Sequence, residues 1–177
     1  MSKPGQTLLI GACLGVLVAI LLLVFQARQS HDTLANRSAI EDVIVQYAYR
    51  WDAKDAAGFV ALFTEDSVIE RWVLGELKSR LQGQTALLDY AKASHEGRLA
   101  DRQTRHHMSS IAFLELTADS ALTDNLVLIT HQTASDQTPR VVATGIYRNT
   151  WRRTDQGWKI AKRVLFTDRV ADYQVED

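Results

Sequence analysis

The chain has 177 residues, 46% of them hydrophobic, and a formal net charge of −1 at pH 7. Acidic and basic residues are interspersed, which leaves no basic field for nucleic acid. The length suits one ordinary domain with a short appendage. Cys13 is the only cysteine, so an intrachain disulfide and a cysteine-ligated metal site are both excluded.

An apolar segment comes first along the chain. No charged residue occurs between Lys3 and Arg28, and the run from Leu8 to Phe25 approaches the roughly 20 residues that cross a bilayer. No small-residue cleavage site follows it, which argues against a removable signal peptide. We therefore predict a single-pass membrane protein, with the side of its soluble domain left open by the few flanking basic residues. The predicted segments are an N-terminal tail (1–6), a transmembrane anchor (7–27) and a polar tether (28–37).

Helices are predicted after the tether. Apolar residues recur at helical spacing over residues 40–51, and Ser38 with Glu41 forms a candidate capping box. A second, shorter helix is predicted after Asp55, which would be its N-cap. A third is predicted over about residues 85–94.

Strand patterns dominate the rest of the chain. One strand, "DSVIERWVL", precedes the third helix, and four longer β-rich segments follow Arg102, separated by the turn compositions "TAD", "SDQTP" and "DQG". Such short breaks predict an antiparallel meander. The fold class is α+β: a cone-shaped, curved antiparallel sheet covered by about three helices and preceded by one transmembrane helix. This cone domain is placed at residues 38–171, with a C-terminal tail at 172–177.

Four motifs in this order resemble a known family: "YRWDAKD", "FVALFTEDSVIE", "TRHHMSSI" and "YRNTWRRTDQGWKIAKRV". They are similar to the SnoaL-like branch of the nuclear-transport-factor-2-like superfamily, which includes scytalone dehydratase and hexachlorocyclohexane dehydrochlorinase. The resemblance spans about residues 39–170 and implies the cone fold. The superfamily also has many non-catalytic members, so the fold alone does not decide function.

The resemblance also implies site residues. In both lyases an aspartate at the end of the first helix pairs with a histidine on the strand after the third helix, and the matching residues here are Asp52 and His106. The dehydratase has a histidine on the next strand, matched by His131. Its tyrosine beside the aspartate is replaced by Trp51, which has no hydroxyl group. Any role of that hydroxyl in activating water or a substrate oxygen is therefore missing here.

Two adjacent histidines in "TRHH" must point to opposite faces of a strand. Strand parity does not show which one faces the interior, and the resemblance selects His106 over His107. His131 shares its parity with Val127 and Ile129, so it is either a second polar group in the pocket or a buried structural histidine. Because adjacent histidines diverge, we predict no metal site among the three, and no cofactor.

An aspartate bonded to one imidazole nitrogen leaves the other nitrogen free as a general base. The predicted catalytic residues are accordingly His106 as the base, Asp52 as its orienting partner and His131 as an assisting group. The alternative for Asp52 is a solvent-exposed carboxylate at a helix C-terminus, where the helix dipole disfavours negative charge.

A pocket for a hydrophobic or ring-shaped ligand is predicted from four aromatic residues and one arginine. Each aromatic residue has plain core packing as its alternative. The arginine either binds an anionic substrate group or is an exposed strand charge. These predicted substrate-binding residues are Tyr47, Trp51, Trp72, Tyr147 and Arg163. The dehydrochlorinase also has a basic residue on the penultimate strand, matched by Arg152 or Arg153.

Two functions of different classes follow. The first is a membrane-anchored, cofactor-free lyase or isomerase that acts on a small hydrophobic molecule, and the Asp/His pair favours it. The second is a non-catalytic accessory or assembly subunit of a membrane protein complex, favoured by the predicted anchor because small-molecule lyases rarely need one. The predicted partners are a small hydrophobic ligand, the membrane, and either further copies of the chain or subunits of a membrane complex; nucleic acid is not among them.

Overall fold

The computed structural model describes the backbone of residues 4–168 and the side chains of residues 17–168. The predicted C-terminal tail, the last residues of the cone domain and the side chains before Leu17 lie outside this part. The described chain divides into two compact units at Ser38/Ala39. Its helices and strands are α1 Pro4–Asp52, α2 Ala56–Val60, α3 Gly83–Glu96, β1 Phe63–Val73, β2 Glu76–Gln82, β3 Arg102–Leu116, β4 Ser120–Thr133, β5 Arg140–Thr154 and β6 Gly157–Thr167.

The strands of the second unit form one curved sheet in the order β2-β1-β6-β5-β4-β3. The predicted meander is confirmed, because β3 to β6 pair successively in antiparallel fashion. Two features of the sheet are not predicted by the sequence. Strand β1 lies parallel to β6, and β2, "ELKSRLQ", folds back on β1 with nearly all its residues exposed, so it lacks the alternation of a half-buried strand.

Helix α1 begins much earlier than predicted. It is continuous from Pro4 to Asp52, so residues 28–37, predicted as a tether, are helical. The capping box at Ser38 and Glu41 is therefore wrong, since Ser38 lies inside the helix, where the backbone N–H groups bond to carbonyls one turn earlier. Residues 26–38 contain neither glycine nor proline, so nothing in this segment stops the helix.

The predicted transmembrane anchor and single-pass membrane localisation are corrected by the structure. Among the described residues, no helix is both long enough and apolar enough to cross a membrane. From Leu17 onward α1 is apolar only as far as Phe25, and polar or charged residues follow from Gln26. The earlier side chains of the predicted anchor lie outside the described part.

The two shorter helices agree with prediction. Asp55 is the N-cap of α2, where its side chain accepts a hydrogen bond of 2.8 Å from the backbone N–H of Gly58. Helix α3 covers the predicted third helix and extends two residues beyond it at either end. These helices and the end of α1 lie against one face of the sheet and close the core of the second unit.

The core of the second unit is built around one stripe of α1. Ile40, Ile44, Tyr47 and Trp51 are spaced by three or four residues and are all buried, which places them on one face of the helix. They belong to a single cluster with buried residues of α2, α3, the turn after α3 and the sheet: Phe59, Val60, Phe63, Leu87, Ala91, Leu99, Ala121, Val127, Tyr147, Trp151, Trp158 and Ile160. This stripe brings the last turn of α1, with Asp52, to the start of β3.

Candidate active site

Asp52 and His106 meet where α1 ends against β3. Nδ1 of His106 lies 2.7 Å from Oδ1 of Asp52, and the side chains are only 6% and 9% exposed, respectively. The backbone N–H of His106 donates to Oδ2 at 2.9 Å, and the hydroxyl of Thr104 donates to Oδ1 at 2.7 Å. The carboxylate is thus held by three donors from one strand.

Strand alternation explains why β3 supplies these donors. Thr104 and His106 are two residues apart, so both side chains lie on the same face of the sheet. Gln103 adds a bond from its side-chain amide to the backbone carbonyl of Asp52, at 3.1 Å, which satisfies one of the free carbonyls at the helix end. The end of α1 is therefore fixed to β3 through both its backbone and its carboxylate.

The hydrogen bonds decide the charge state of Asp52. Burial acts to raise the pKa of this carboxyl group, but the hydrogen bond and the charge of His106, together with the bonds from Thr104 and the His106 backbone, hold the pKa below its ordinary value. Asp52 is ionised at neutral pH. An ionised carboxylate accepts a hydrogen bond from Nδ1–H of His106, and in that tautomer Nε2 is the nitrogen that can accept a proton.

Two aromatic rings enclose the imidazole. The ring centres of Tyr47 and Trp51 lie 6.0 and 6.3 Å from that of His106, both edge-on. A cleft with a volume of about 570 Å³ opens beside the pair, lined by Ala48, Tyr49, Asp52, Ala53, Gln103, Arg105 and His106. The aromatic residues predicted to line a cavity are not among its lining residues, because Tyr47, Trp51 and Tyr147 are buried in the core instead.

His131 lies beside the pair on the neighbouring strand. It is opposite Thr104 in the β3–β4 register and is half-buried on the same face. Burial lowers the pKa of His131, and the positive charges of Arg102 and Arg98 lower it further. His131 is therefore neutral at pH 7 and able both to donate and to accept a hydrogen bond.

His107 lies on the opposite, exposed face of β3. Its Nε2 lies 3.5 Å from the hydroxyl of Thr130 on β4. Of the two adjacent histidines, His106 faces the helices, the choice that the resemblance implied.

The predicted ligand-binding residues do not form a single group. Tyr47, Tyr147 and Arg163 lie together: the Arg163 guanidinium carbon is 3.6 Å from the centre of the Tyr47 ring and 4.5 Å from that of Tyr147. Trp51 packs against other rings, including that of His95 at 4.7 Å. Trp72 is half-buried on β1, where its indole N–H donates to Glu70.

The two arginines considered for the penultimate strand lie at the surface end of β5. Arg152 forms an ion pair with Asp66 at 3.0 Å, and both side chains are more than half exposed. The guanidinium of Arg153 lies 6.0 Å from the centre of the Trp158 ring. The ion pair of Arg152 is thus with Asp66 and not with Asp52.

Several polar residues near the site were outside the predicted set. Thr104 is one, and its spacing of two from His106 is the signal that could have identified it. The others form a buried polar row across the sheet. In this row the side-chain amide of Asn149 donates hydrogen bonds to Thr123 and Asn125, and its oxygen accepts one from Arg163. Within the part of the chain that the structure describes, no group of three or more His, Cys, Asp or Glu side chains could hold a metal ion.

The family follows from comparison with known proteins. A family model described as the SnoaL-like domain matches residues 32–164. The match covers most of the chain, including both members of the Asp/His pair, and the chain belongs to the SnoaL-like family. A comparison with curated protein sequences finds no match.

Solved structures show the same fold. A proposed scytalone dehydratase from Novosphingobium aromaticivorans is 24% identical, with 83% of this chain and 93% of that one covered and a TM-score of 0.66. An NTF2-like protein with a cystatin-like fold from the same organism is 22% identical, with 85% of this chain and 90% of that one covered and a TM-score of 0.66. The beta subunit of a proposed aromatic-ring-hydroxylating dioxygenase, also from that organism, is 16% identical, with 80% of this chain and 94% of that one covered and a TM-score of 0.66. These TM-scores establish the fold, and the predicted membership of the SnoaL-like family is confirmed by the family model.

Proposed function

We propose that this SnoaL-like domain is a cofactor-free lyase or isomerase that acts on a small hydrophobic molecule. The observation that carries the proposal is the 2.7 Å contact between Nδ1 of His106 and Oδ1 of Asp52 at the wall of a cleft. A carboxylate that fixes the imidazole tautomer next to accessible space is the arrangement a general base needs. The fold shared with a proposed scytalone dehydratase agrees with an elimination reaction.

In the proposed reaction, Nε2 of His106 takes a proton from a carbon atom of the substrate. In an elimination, the C–H electron pair forms the new double bond and the leaving group departs from the adjacent carbon with its own bonding pair. In an isomerisation, the proton returns to a different carbon. Asp52 stabilises the imidazolium that forms in either case, because its carboxylate is ionised and hydrogen-bonded to Nδ1.

His131 has an assisting role in this proposal. It is neutral and on the same face of the sheet as His106, so it can donate a hydrogen bond to a substrate oxygen or a leaving group. Trp51, which packs edge-on beside His106 in the core, lacks the hydroxyl that the dehydratase pattern has at this position. The hydrogen bond to the substrate oxygen is therefore assigned to His131 and not to a tyrosine.

The test uses a panel of cyclic β-hydroxy ketones, scytalone among them, whose dehydration is followed by the absorbance of the conjugated product. We expect His106→Gln and Asp52→Asn each to lower the rate by about 10²–10⁴-fold, the usual contribution of a general base. The double variant should be no slower than the slower single variant, because the two residues act as a unit. His107→Gln, on the exposed face of the same strand, is the matched control. Turnover that survives His106→Gln would exclude the Asp52/His106 pair as the general base.

A second candidate is a non-catalytic accessory subunit that associates with copies of itself or with other subunits. It is favoured by an apolar row on the exposed sheet face, where Leu126, Ile146 and Phe166 are aligned across β4, β5 and β6. Leu126 and Phe166 are 48% and 39% exposed. The fold shared with a dioxygenase beta subunit agrees with this candidate. An accessory subunit would keep its association in the His106 and Asp52 variants and show no turnover with any member of the panel.

A further inference from the structure

The core of the second unit contains a cation without an anion. Arg163 on β6 is 1% exposed, and its Nε donates to Oδ1 of Asn149 at 2.6 Å. Its Nη1 and Nη2 atoms are buried with no hydrogen-bond partner among the described residues. Asn149 is neutral, so the positive charge of Arg163 is not balanced by the bond that it makes.

The other buried charges of this unit are paired. Glu70 is 5% exposed and lies 3.0 Å from Nζ of Lys162 and 3.3 Å from Nη1 of Arg80. Asp52 is bonded to His106. Because burying an unpaired ion is costly, charged side chains in protein interiors normally have a partner. Arg163 departs from the pattern that Glu70 and Asp52 follow.

Two nitrogens of the Arg163 guanidinium have no hydrogen-bond partner among the described residues. Tyr47 and Tyr147 hold its faces, with ring centres 3.6 and 4.5 Å from the guanidinium carbon. Nε is used by Asn149, so the free donors are those of Nη1 and Nη2. This pair of nitrogens matches the two oxygens of a carboxylate, the bidentate arrangement that arginine forms best.

Charge balance selects a carboxylate over a phosphate. The neighbouring polar side chains of the buried row, Thr123, Asn125 and Asn149, are neutral and are bonded to one another. One guanidinium compensates a single negative charge, whereas a phosphate dianion would need a second cation. The surrounding core residues are aromatic and aliphatic, which fits a hydrophobic body attached to the acid.

Arg163 is close to the proposed base. The Tyr47 ring is shared by the two sites, with its centre 3.6 Å from the Arg163 guanidinium carbon and 6.0 Å from the ring centre of His106. We infer that Arg163 binds the carboxylate of the ligand, so that the substrate class is a hydrophobic, ring-bearing carboxylic acid; this inference rests on the proposed function of the same site. Since Arg163 is closed to solvent, the Tyr47 or Tyr147 ring must change rotamer when the acid binds.

The experiment compares matched acids and amides on the intact protein. Thermal shift and isothermal titration are measured with benzoate and 2-naphthoate, and with benzamide and 2-naphthamide as uncharged counterparts. We expect the acids to bind and to raise the melting temperature, and the amides to bind at least ten-fold more weakly. Failure of both acids to bind at millimolar concentration, or equal binding of acids and amides, would overturn the inference.

Variants of Arg163 assign the binding to this residue. Arg163→Met keeps the apolar stem and should lose acid binding by at least ten-fold, while the unliganded protein is no less stable because an unpaired charge is removed. Arg163→Lys keeps the positive charge but removes the paired Nη1 and Nη2 donors, so it should bind the acids more weakly than the wild type. Arg140→Met, with a side chain that is 77% exposed, is the control and should bind as the wild type does. A large loss of unliganded stability in Arg163→Met, together with unchanged binding in Arg163→Lys, would make Arg163 structural and overturn the inference.

One further variant separates this inference from the proposed reaction. His106→Gln should keep acid binding, since Arg163 and its ring contacts are untouched. Acid binding without any His106-dependent turnover would overturn the reaction alone. Turnover of neutral hydroxy ketones that depends on His106 but not on Arg163 would overturn the carboxylate site alone.

Discussion

At Asp52, hydrogen bonding outweighs two unfavourable effects. Burial and the negative end of the α1 dipole both oppose a charged carboxylate at this position. Three donors, from His106 and Thr104, nevertheless hold the pKa of Asp52 below its ordinary value. Such a carboxylate stabilises the fold above its unfolded pKa, and this stabilisation is lost as the pH falls through its folded pKa.

Thr104→Val tests the contribution of one donor. The substitution keeps the shape of the side chain and removes the 2.7 Å hydrogen bond to Oδ1 of Asp52. We expect the free energy of unfolding to fall by about 1.5–3 kcal/mol, the usual contribution of a hydrogen bond to a charged group. The pKa of Asp52 in the folded protein should rise towards its unfolded value, so that the loss of stability on acidification is smaller and is complete at a higher pH. Urea denaturation across a pH series measures both effects, with the exposed Thr150→Val as control; unchanged stability would show that water replaces the hydroxyl.

We expect a second pH dependence of stability from His95, because the folded protein disfavours the charged form of this group, whereas it favours the charged form of Asp52. It is 6% exposed, and neither of its buried ring nitrogens has a partner of good hydrogen-bond geometry among the described residues. Burial lowers the pKa of His95, and the charges of Lys54 and Arg98 lower it further, while the backbone of Lys54 and the charge of Asp55 act in the opposite direction. Below about pH 6.5, the unfolded chain therefore binds a proton that the folded protein resists, and stability should fall as the pH falls.

His95→Phe should reduce that slope. Phenylalanine keeps a ring against Trp51, 4.7 Å away in the native protein, and cannot be protonated. We expect the free energy of unfolding to depend less on pH between about 7.5 and 5.5, with a remaining slope of the same sign from His131, whose pKa is also lowered. The measurement is chemical denaturation at several pH values, with His107→Gln as control. A slope equal to that of the wild type would mean that His95 is protonated in the folded state as readily as in the unfolded chain.

The sequence locates the Asp/His pair but not all of its surroundings. Strand alternation places His106 and His107 on opposite faces but does not show which one faces the interior. The family resemblance selects His106. The burial of Arg163 is not predictable from "AKRV", because an arginine on a final strand is equally compatible with an exposed charge. Its position depends on Tyr47 and Tyr147, which come from elements far apart in the sequence.

At the scale of the elements, local patterns predict local structure. The strands β3 to β6 and helices α2 and α3 follow alternation, helical spacing and turn composition, all of which are readable from neighbouring residues. The parallel pairing of β1 with β6 joins segments about ninety residues apart, for example Ile69 with Arg163, and carries no local signal. The length of α1 was underestimated because a polar stretch without Gly or Pro reads equally as a tether or as an exposed helix.

Gly145 is a point where two strands approach too closely for a side chain. A Cβ atom at this position of β5 would lie 2.2 Å from the carbonyl oxygen of Phe166 on β6. Because that oxygen belongs to the backbone, relief requires the strand itself to move. We expect Gly145→Ala to lower the free energy of unfolding by about 1–3 kcal/mol, as overpacking does, or somewhat more. Urea denaturation measures it, with the exposed Thr150→Ala on the same strand as control; a loss no larger than that of the control would show that the strands separate freely.

At the scale of the whole molecule, the two faces of the sheet differ. One face is covered by helices and contains the core, the Asp/His pair and Arg163. The other carries the apolar row of Leu126, Ile146 and Phe166, next to the bidentate ion pair of Arg148 with Asp124. Large apolar side chains aligned on an exposed sheet face are typical of a surface that is buried on association.

Self-association through this apolar row is the last prediction. If two copies bury their rows against each other, Leu126→Lys combined with Phe166→Lys should convert the protein to a monomer, since each lysine would have to be desolvated in the interface. Leu77→Lys is the matched control, because Leu77 is 45% exposed on β2, outside the row. Multi-angle light scattering at tens of micromolar measures the mass, and circular dichroism checks that the fold is kept. A wild-type protein that is already monomeric, or a double lysine variant with unchanged mass, would show that the row is not a contact between copies of the chain.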